Sequence, residues 1–319
     1  MVPITVGRHE ARLILIRANI LILISIFISS FIPSKVLAQT LPEKIGVIVL
    51  HPKLGNPAHV ESWWKKIGKE KVFKKKFQRK CGKGTWICST DKTVISHKNN
   101  KIGLLAIDLY EDGFLIESPR CAWSKLNKYS HPVDIALRKC ITPRIKRLRK
   151  RGATKMVTLG ISLGANAAIR AGVVINGIDA IVAMAPGHTP EHEFTRESLD
   201  AEIRYAKEKI KSGNEQEKIE FEDFDQGQKK RLEVSAENFL SWFDPEGKAV
   251  MGLNAPKIKA GVAFLWIAGK DDIISDGTGK SIYDSVPPNP KSKFIHVEGG
   301  HRDVRKYGKE IIFNWLKTL

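Results

Sequence analysis

Short apolar runs alternate with helix-length segments along most of this 319-residue chain. The runs are rich in β-branched residues, and each is followed by a stretch long enough to cross one face of a sheet. This alternation predicts an α/β fold with a mostly parallel sheet and helices on both faces. The predicted strands are 46–50, 114–117, 156–159, 178–184, 263–267 and 293–297.

The segments between these runs carry helical patterns. Residues 102–112 fit a strand or a helix, but the spacing of Leu105 and Leu109 favours a helix that ends at Gly113. The other predicted helical segments are 132–151, 163–171, a long charged stretch at 196–243, and a terminal helix at 303–319.

Residues 1–38 have the three parts of a secretory signal peptide. Three arginines precede an apolar run at 18–32, and small residues lead to a predicted cleavage after Ala38. We therefore expect a periplasmic or secreted protein whose mature domain spans 39–319. The alternative is an uncleaved N-terminal membrane anchor, for which the apolar run is short.

The chain is strongly basic, with 53 Lys and Arg against 34 Asp and Glu, a formal charge of +19. The segment 1–38 holds four basic residues and one acidic residue, so the remainder still carries +16. Ten basic residues and one acidic residue lie between Lys65 and Lys83, in a predicted surface insertion at 64–100. Export and the lack of a nucleic-acid-binding module argue against nucleic acid, and favour weak association with an anionic envelope surface.

Four cysteines follow the predicted signal: Cys81, Cys88, Cys121 and Cys140. In an exported chain an even number of cysteines favours disulfides, although the sequence alone leaves three pairings open. We favour Cys81–Cys88 and Cys121–Cys140, because each pair closes a local loop. The spacing lacks the paired Cys-x-x-Cys clusters of zinc sites, so no metal is expected.

The strongest local motif is the segment 160–164, which reads Gly-Ile-Ser-Leu-Gly. An apolar strand ends at Gly160, and a helix-forming run begins directly after Ser162. A nucleophile on such a sharp turn needs small neighbours, which Gly160 and Gly164 supply. The motif predicts that Ser162 is a nucleophile, and the alternative is an ordinary helix N-cap serine.

A nucleophilic serine needs a base within hydrogen-bond reach and an acid that orients the base. Downstream, one predicted strand ends in the turn 269–272, Gly-Lys-Asp-Asp, and the last one runs into 299–301, Gly-Gly-His. The parallel sheet would bring both turns to the same edge as the serine.

The motifs in the order Ser, Asp, His resemble those of the α/β-hydrolase family, over nearly all of residues 44–319. The resemblance implies Ser162 as the nucleophile, His301 as general base and acid, and Asp272 as the orienting acid. Asp271 is the rival for the acid role, and Asp272 is preferred because the family's acid usually sits three residues after the turn glycine. His296, inside an alternating strand, is interpreted as structural.

The same resemblance implies an oxyanion hole formed by two main-chain N–H groups. One should come from Leu163, directly after the nucleophile. The other should come from the loop after the first strand, where many members have His-Gly and this chain has His51-Pro52. Proline has no N–H group, so Lys53 is the expected donor, and His51 is interpreted as a loop brace.

Two further segments, 117–124 and 183–191, resemble a bacterial subgroup of these hydrolases. Each follows the carboxyl end of a strand, where open α/β sheets place ligands. Trp123 and His188 are therefore candidate pocket residues, with core packing as the alternative for Trp123. Residues 187–250, rich in Glu and Lys, are predicted to form a helical cap.

These observations predict an exported serine hydrolase that cleaves a small carboxylic ester through an acyl-enzyme, without a cofactor or an obligate protein partner. Sequence alone does not separate an esterase from an amidase or a thioesterase. The second hypothesis is a non-catalytic, hydrolase-like protein that binds anionic envelope components through its basic insertion.

Overall fold

The computed structural model of the chain describes residues 44–55, 105–106, 108–110, 112–225, 228–272 and 277–319. The predicted signal segment and the insertion at 64–100, with Cys81 and Cys88, lie outside the described residues. No helix within the described part is both long and apolar enough to cross a membrane.

Six of the described strands form one parallel sheet in the order β2-β1-β3-β4-β7-β8, and β5 and β6 form a separate antiparallel hairpin. All six predicted strands are present, which confirms the predicted α/β fold. The strands are β1 Ile45–Leu50, β2 Leu115–Glu117, β3 Lys155–Ser162, β4 Ala180–Pro186, β5 Lys218–Asp225, β6 Gln228–Ser235, β7 Ala263–Gly269 and β8 Lys293–Val297.

The predicted helices flanking the sheet are also present, and residues 105–106 and 108–110 are helical, as their spacing predicted. A 3₁₀ turn, Ala255–Lys257, directly follows the short helix Met251–Asn254. The helices are α1 Val133–Lys150, α2 Leu163–Val174, α3 Glu193–Lys211, α4 Ala236–Phe243, α5 Met251–Asn254, α6 Thr278–Asp284 and α7 Val304–Leu316.

Helices cover both faces of the sheet because successive side chains of a strand point to opposite sides. In β1, Ile48 and Leu50 pack into one apolar cluster, whereas Val47 and Val49 pack into another. The first cluster contains α1, α2 and the cap, and the second contains α7 and the helical residues near Leu105. The sheet is thus buried on both sides, as its nearly continuous apolar strands require.

The segment 187–250, for which we keep the name cap, differs from the predicted helical cap. It consists of α3, the β5–β6 hairpin and α4, so the helical prediction over 196–243 is wrong in its middle part. The reason is an apolar–polar alternation in β5, where Ile219 and Phe221 are each followed by a glutamate. A period of two residues favours a strand, and the high charge of the stretch obscured it.

A column of aromatic rings forms the inside of the cap. Phe239 of α4 stacks between Phe221 of the hairpin, at 4.2 Å between ring centroids, and Phe243, at 4.8 Å. All three side chains are buried and belong to the same apolar cluster as α2. The core of the cap is therefore continuous with the core beneath the sheet.

The loop after β1 is braced by the fully buried side chain of His51. Its Nδ1–H donates to the carbonyl of Pro52 at 2.9 Å, and its Nε2 accepts the N–H of Cys121 at 3.2 Å. The indole N–H of Trp123 donates to the carbonyl of His51 at 2.9 Å. These contacts join the loop to the segment that follows the neighbouring strand, β2.

Acidification should destabilise the fold through His51. Burial lowers the pKa of His51 from 6.5 to about 4, so between those pH values a proton binds the unfolded chain but not the folded one. The free energy of unfolding should therefore fall by about 3 kcal/mol as the pH drops from 6.5 to 4. His51→Asn removes this contribution, so urea unfolding measured between pH 7 and pH 4 should show a weaker pH dependence.

The matched control is His296→Asn, which changes an exposed histidine on the edge strand β8. That variant should keep the wild-type pH dependence. If His51→Asn also kept it, the buried imidazole would not be the group that links protonation to unfolding.

Candidate active site

Ser162 lies on a sharp turn between β3 and α2. Its backbone has φ 56° and ψ −124°, a conformation that residues other than glycine rarely adopt. It occupies the N-cap position of α2, but its hydroxyl makes no capping hydrogen bond. The strained turn and the unused cap distinguish Ser162 from the ordinary N-cap serine of the alternative interpretation.

Two glycines make this turn sterically accessible. A Cβ atom on Gly160 would lie 1.9 Å from the carbonyl oxygen of Gly164. A Cβ atom on Gly164 would lie 2.4 Å from the carbonyl oxygen of Leu50. At Gly164, the first turn of α2 therefore lies against the backbone of the end of β1 and the start of its loop.

His301 and Asp272 form a hydrogen-bonded pair at the same edge of the sheet. The Nδ1–H of His301 donates to Oδ2 of Asp272 at 2.8 Å. The Asp272 side chain is 1% exposed and that of His301 is 18% exposed. Asp271, the rival for the acid role, is exposed to solvent.

Main-chain contacts fix the two loops that carry this pair. The N–H of Lys270 donates to the carbonyl of Val297 at 2.8 Å, and that of Asp271 donates to Gly299 at 3.1 Å. A Cβ atom on Gly269 would lie 2.1 Å from the Gly299 carbonyl oxygen, so a side chain there would separate the loops. Since β7 and β8 are adjacent parallel strands, their carboxyl ends bring together residues 29 positions apart.

Gly187 shows how Ser162 faces this pair. A Cβ atom on Gly187 would lie 3.0 Å from Oγ of Ser162 and 3.4 Å from Cε1 of His301. The hydroxyl and the imidazole therefore border the same small space. Sequence reasoning missed Gly187, whose only signal is its place directly after β4.

The loop after β1 holds Lys53, the predicted second oxyanion donor. The N–H of Leu54 donates to the carbonyl of Trp123 at 3.0 Å, and that of Gly55 donates to Pro52 at 3.0 Å. These contacts remove Leu54 and Gly55 from the candidate donors. The side chain of Lys53 extends to the cap, where its Nζ lies 2.5 Å from Oδ1 of Asp223.

The two candidate pocket residues have different surroundings. Trp123 is fully buried, with its ring 5.2 Å from that of His51 and 5.5 Å from that of Trp242, which fits the core-packing alternative. His188 directly follows Gly187, and its Nε2–H donates to the carbonyl of Trp242 at 2.7 Å. Burial and the nearby Lys53 charge lower the pKa of His188 to about 3, so its imidazole is neutral near pH 7.

Asn166, in the first turns of α2, joins both ends of the cap and was not predicted. Its Nδ2 donates to the carbonyls of His188 and Ala249, each at 2.7 Å. The only sequence signal is an amide in a helix that is apolar apart from Arg170. The contact shows that the helix carrying the predicted nucleophile also anchors the cap.

Cys121 and Cys140 lie next to each other beneath the sheet edge, with Cα atoms 5.2 Å apart, a separation that a disulfide spans. Among the described residues, no group of three or more His, Cys, Asp or Glu side chains is arranged to hold a metal ion.

No protein-family model matches the sequence, and a comparison with curated proteins found no match. Solved structures do match. LipS or LipT, a metagenome-derived lipolytic enzyme, has a TM-score of 0.53 at 12% identity, over 88% of this chain and 96% of that chain. A monoacylglycerol lipase from Paleococcus ferrophilus has a TM-score of 0.52 at 16% identity, over 86% and 94%.

An esterase from Pyrococcus furiosus has a TM-score of 0.50 at 14% identity, over 86% of this chain and 82% of that chain. At these identities the likeness concerns the fold. In this chain that fold is a parallel six-stranded sheet with helices on both faces. The chain has the α/β-hydrolase fold.

Proposed function

We propose that the protein is a serine hydrolase that cleaves carboxylic esters through an acyl-enzyme on Ser162. The observation that carries this proposal is the position of the Ser162 hydroxyl and the Asp272-bound His301 imidazole around one space. The lipolytic enzyme, the lipase and the esterase among the structures of the same fold support ester hydrolysis.

In the first half of the reaction, His301 acts as a general base. Its Nε2 takes the hydroxyl proton while Oγ of Ser162 attacks the ester carbonyl carbon. Asp272, buried and bound to Nδ1, holds the tautomer that leaves Nε2 ready to accept the proton, and it stabilises the imidazolium that forms. The tetrahedral intermediate then expels the alcohol, which takes the proton from Nε2.

The negative charge on the tetrahedral oxygen needs fixed donors, each worth about 3–4 kcal/mol of transition-state stabilisation. The proposed donors are the main-chain N–H groups of Leu163, at the N-terminus of α2, and Lys53. In the second half of the reaction a water molecule gives its proton to His301 and attacks the acyl carbon. The bond between the acyl carbon and Oγ then breaks, Oγ takes the proton back from Nε2 of His301, and the acid leaves.

Ser162→Ala removes the nucleophile without adding volume. We expect hydrolysis of short p-nitrophenyl esters to fall by more than about 10³-fold, and labelling by a fluorophosphonate probe to disappear. The control is Ser281→Ala, which truncates an exposed serine on α6 and should leave both readouts unchanged. Equal activity in Ser162→Ala and wild type would refute the mechanism.

A wild-type protein that is folded but neither turns over esters nor reacts with the probe would refute the proposed function. Salt-dependent binding of that protein to anionic vesicles would then favour the non-catalytic hypothesis.

Gly187→Ala tests the space between the two side chains. The added methyl group would lie 3.0 Å from Oγ of Ser162 and would occupy the position of the attacked carbonyl. We expect kcat/KM to fall by about 100-fold, as for a small misplacement of reacting groups, with a melting temperature close to that of wild type.

The matched control is Gly252→Ala in α5, where an added Cβ atom meets nothing within 4 Å. This variant should keep wild-type activity. Full activity in Gly187→Ala would show that the ester does not bind in the space beside Ser162 and His301.

Export remains part of the proposal, supported by the signal-like composition of residues 1–38 and by the proximity of Cys121 to Cys140. We expect the mature protein to begin at Gln39 and, under non-reducing conditions, to yield a peptide pair linked through Cys121 and Cys140. N-terminal sequencing and mass spectrometry measure both. An intact residue 1–38 segment on the purified protein, with free thiols at both positions, would contradict this.

A further inference from the structure

A buried ion pair joins the loop after β1 to the hairpin of the cap. Nζ of Lys53 lies 2.5 Å from Oδ1 of Asp223, and the two side chains are 10% and 3% exposed. The residues are 170 positions apart in the sequence. Nζ also lies 5.4 Å from the centre of the Phe243 ring, so the cation is enclosed by a carboxylate and an aromatic face of the cap.

Net stability is a poor explanation for such a pair. The free-energy cost of removing both charges from water is about as large as the gain from their attraction. Replacing such a pair by apolar residues of similar volume often leaves the stability of the fold unchanged. A buried pair does restrict geometry, because separating the two side chains loses an attraction that is strong in a dry environment. The Lys53–Asp223 pair is therefore suited to hold two segments in one fixed relation.

The segment held by this pair carries the proposed oxyanion donor. On one side of Lys53, the loop is fixed by the His51 brace, and on the other by the hydrogen bond from Leu54 to Trp123. The main chain of Lys53 lies between these two attachments. Its side chain supplies a third attachment, in the direction of the cap.

We propose that Asp223 is a positioning residue for the reaction: through the Lys53 side chain, it holds the main-chain N–H of Lys53 in its place at the oxyanion hole. The inference rests on the proposed function, and it makes the cap hairpin part of the apparatus that sets the catalytic rate. In this role Asp223 acts through Lys53.

The test compares Asp223→Ala and Asp223→Asn with wild type on p-nitrophenyl acetate. Donors at the oxyanion stabilise the transition state more than bound substrate, so kcat of Asp223→Ala should fall by about 10- to 100-fold with KM changed by less than about threefold. Asparagine keeps an oxygen that accepts from Lys53, so Asp223→Asn should lie between Asp223→Ala and wild type.

The matched control is Glu222→Gln, the preceding residue on the same strand. Glu222 faces solvent and pairs with Lys229 across the hairpin, with side chains 42% and 64% exposed. Its neutralisation should leave kcat unchanged, because it removes an acidic charge from the hairpin without touching Lys53.

A second variant guards against a simple loss of folding. Lys53→Met combined with Asp223→Leu removes both buried charges and should fold with at least wild-type stability. Its kcat should stay as low as that of Asp223→Ala, because a contact between two apolar side chains does not fix the position of the residue 53 main chain as the ion pair does. Wild-type kcat in this double variant would overturn the proposal.

Hydrogen exchange gives a readout that does not depend on turnover. The peptide containing residues 51–55 should exchange its amide protons faster in Asp223→Ala than in wild type or Glu222→Gln. Unchanged exchange there, or a loss of activity that appears only as a higher KM, would overturn the inference. Absent esterase activity and probe labelling in the wild type would refute the proposed function, while the exchange result would still decide whether Asp223 holds the loop.

Discussion

The close approach of α2 to the end of β1 is the contact on which the rest of the candidate site depends. At Gly164 the two backbones are so near that a single added carbon atom would collide with the Leu50 carbonyl. That approach fixes the direction of α2 relative to β1, next to the strained backbone at Ser162. The energetic cost of the turn is met by the buried strands and helix on either side of it.

The sheet provides the second constraint. Parallel neighbours end at one edge, so turns that are distant in sequence meet there without a dedicated connection. Asp272 and His301 meet in this way after β7 and β8, and the main-chain hydrogen bonds between their loops set the distance between them. The cap is attached to this arrangement by aromatic packing and by polar contacts, and its core is part of the same apolar cluster.

Much of this could be predicted from local patterns. The apolar runs marked all six sheet strands, and the Gly-Ile-Ser-Leu-Gly segment marked the turn at Ser162, because strand burial and tight turns leave short-range signatures. The β5–β6 hairpin was missed because its charges concealed a period of two residues. The roles of Gly187, Asn166 and the Lys53–Asp223 pair depend on contacts between residues that are far apart in the sequence. Such contacts leave no local sequence pattern from which they could be predicted.

The two hydrogen bonds of Asn166 bear on how a domain of this kind can change over evolution. One side-chain amide donates hydrogen bonds to both ends of the cap, although the two carbonyls belong to residues 61 positions apart, His188 and Ala249. The residues between His188 and Ala249 therefore form an insertion whose two ends are fixed at one point on α2. An insertion of another length or sequence fits the same attachment without changing the direction of α2, provided that it supplies a carboxylate for Lys53.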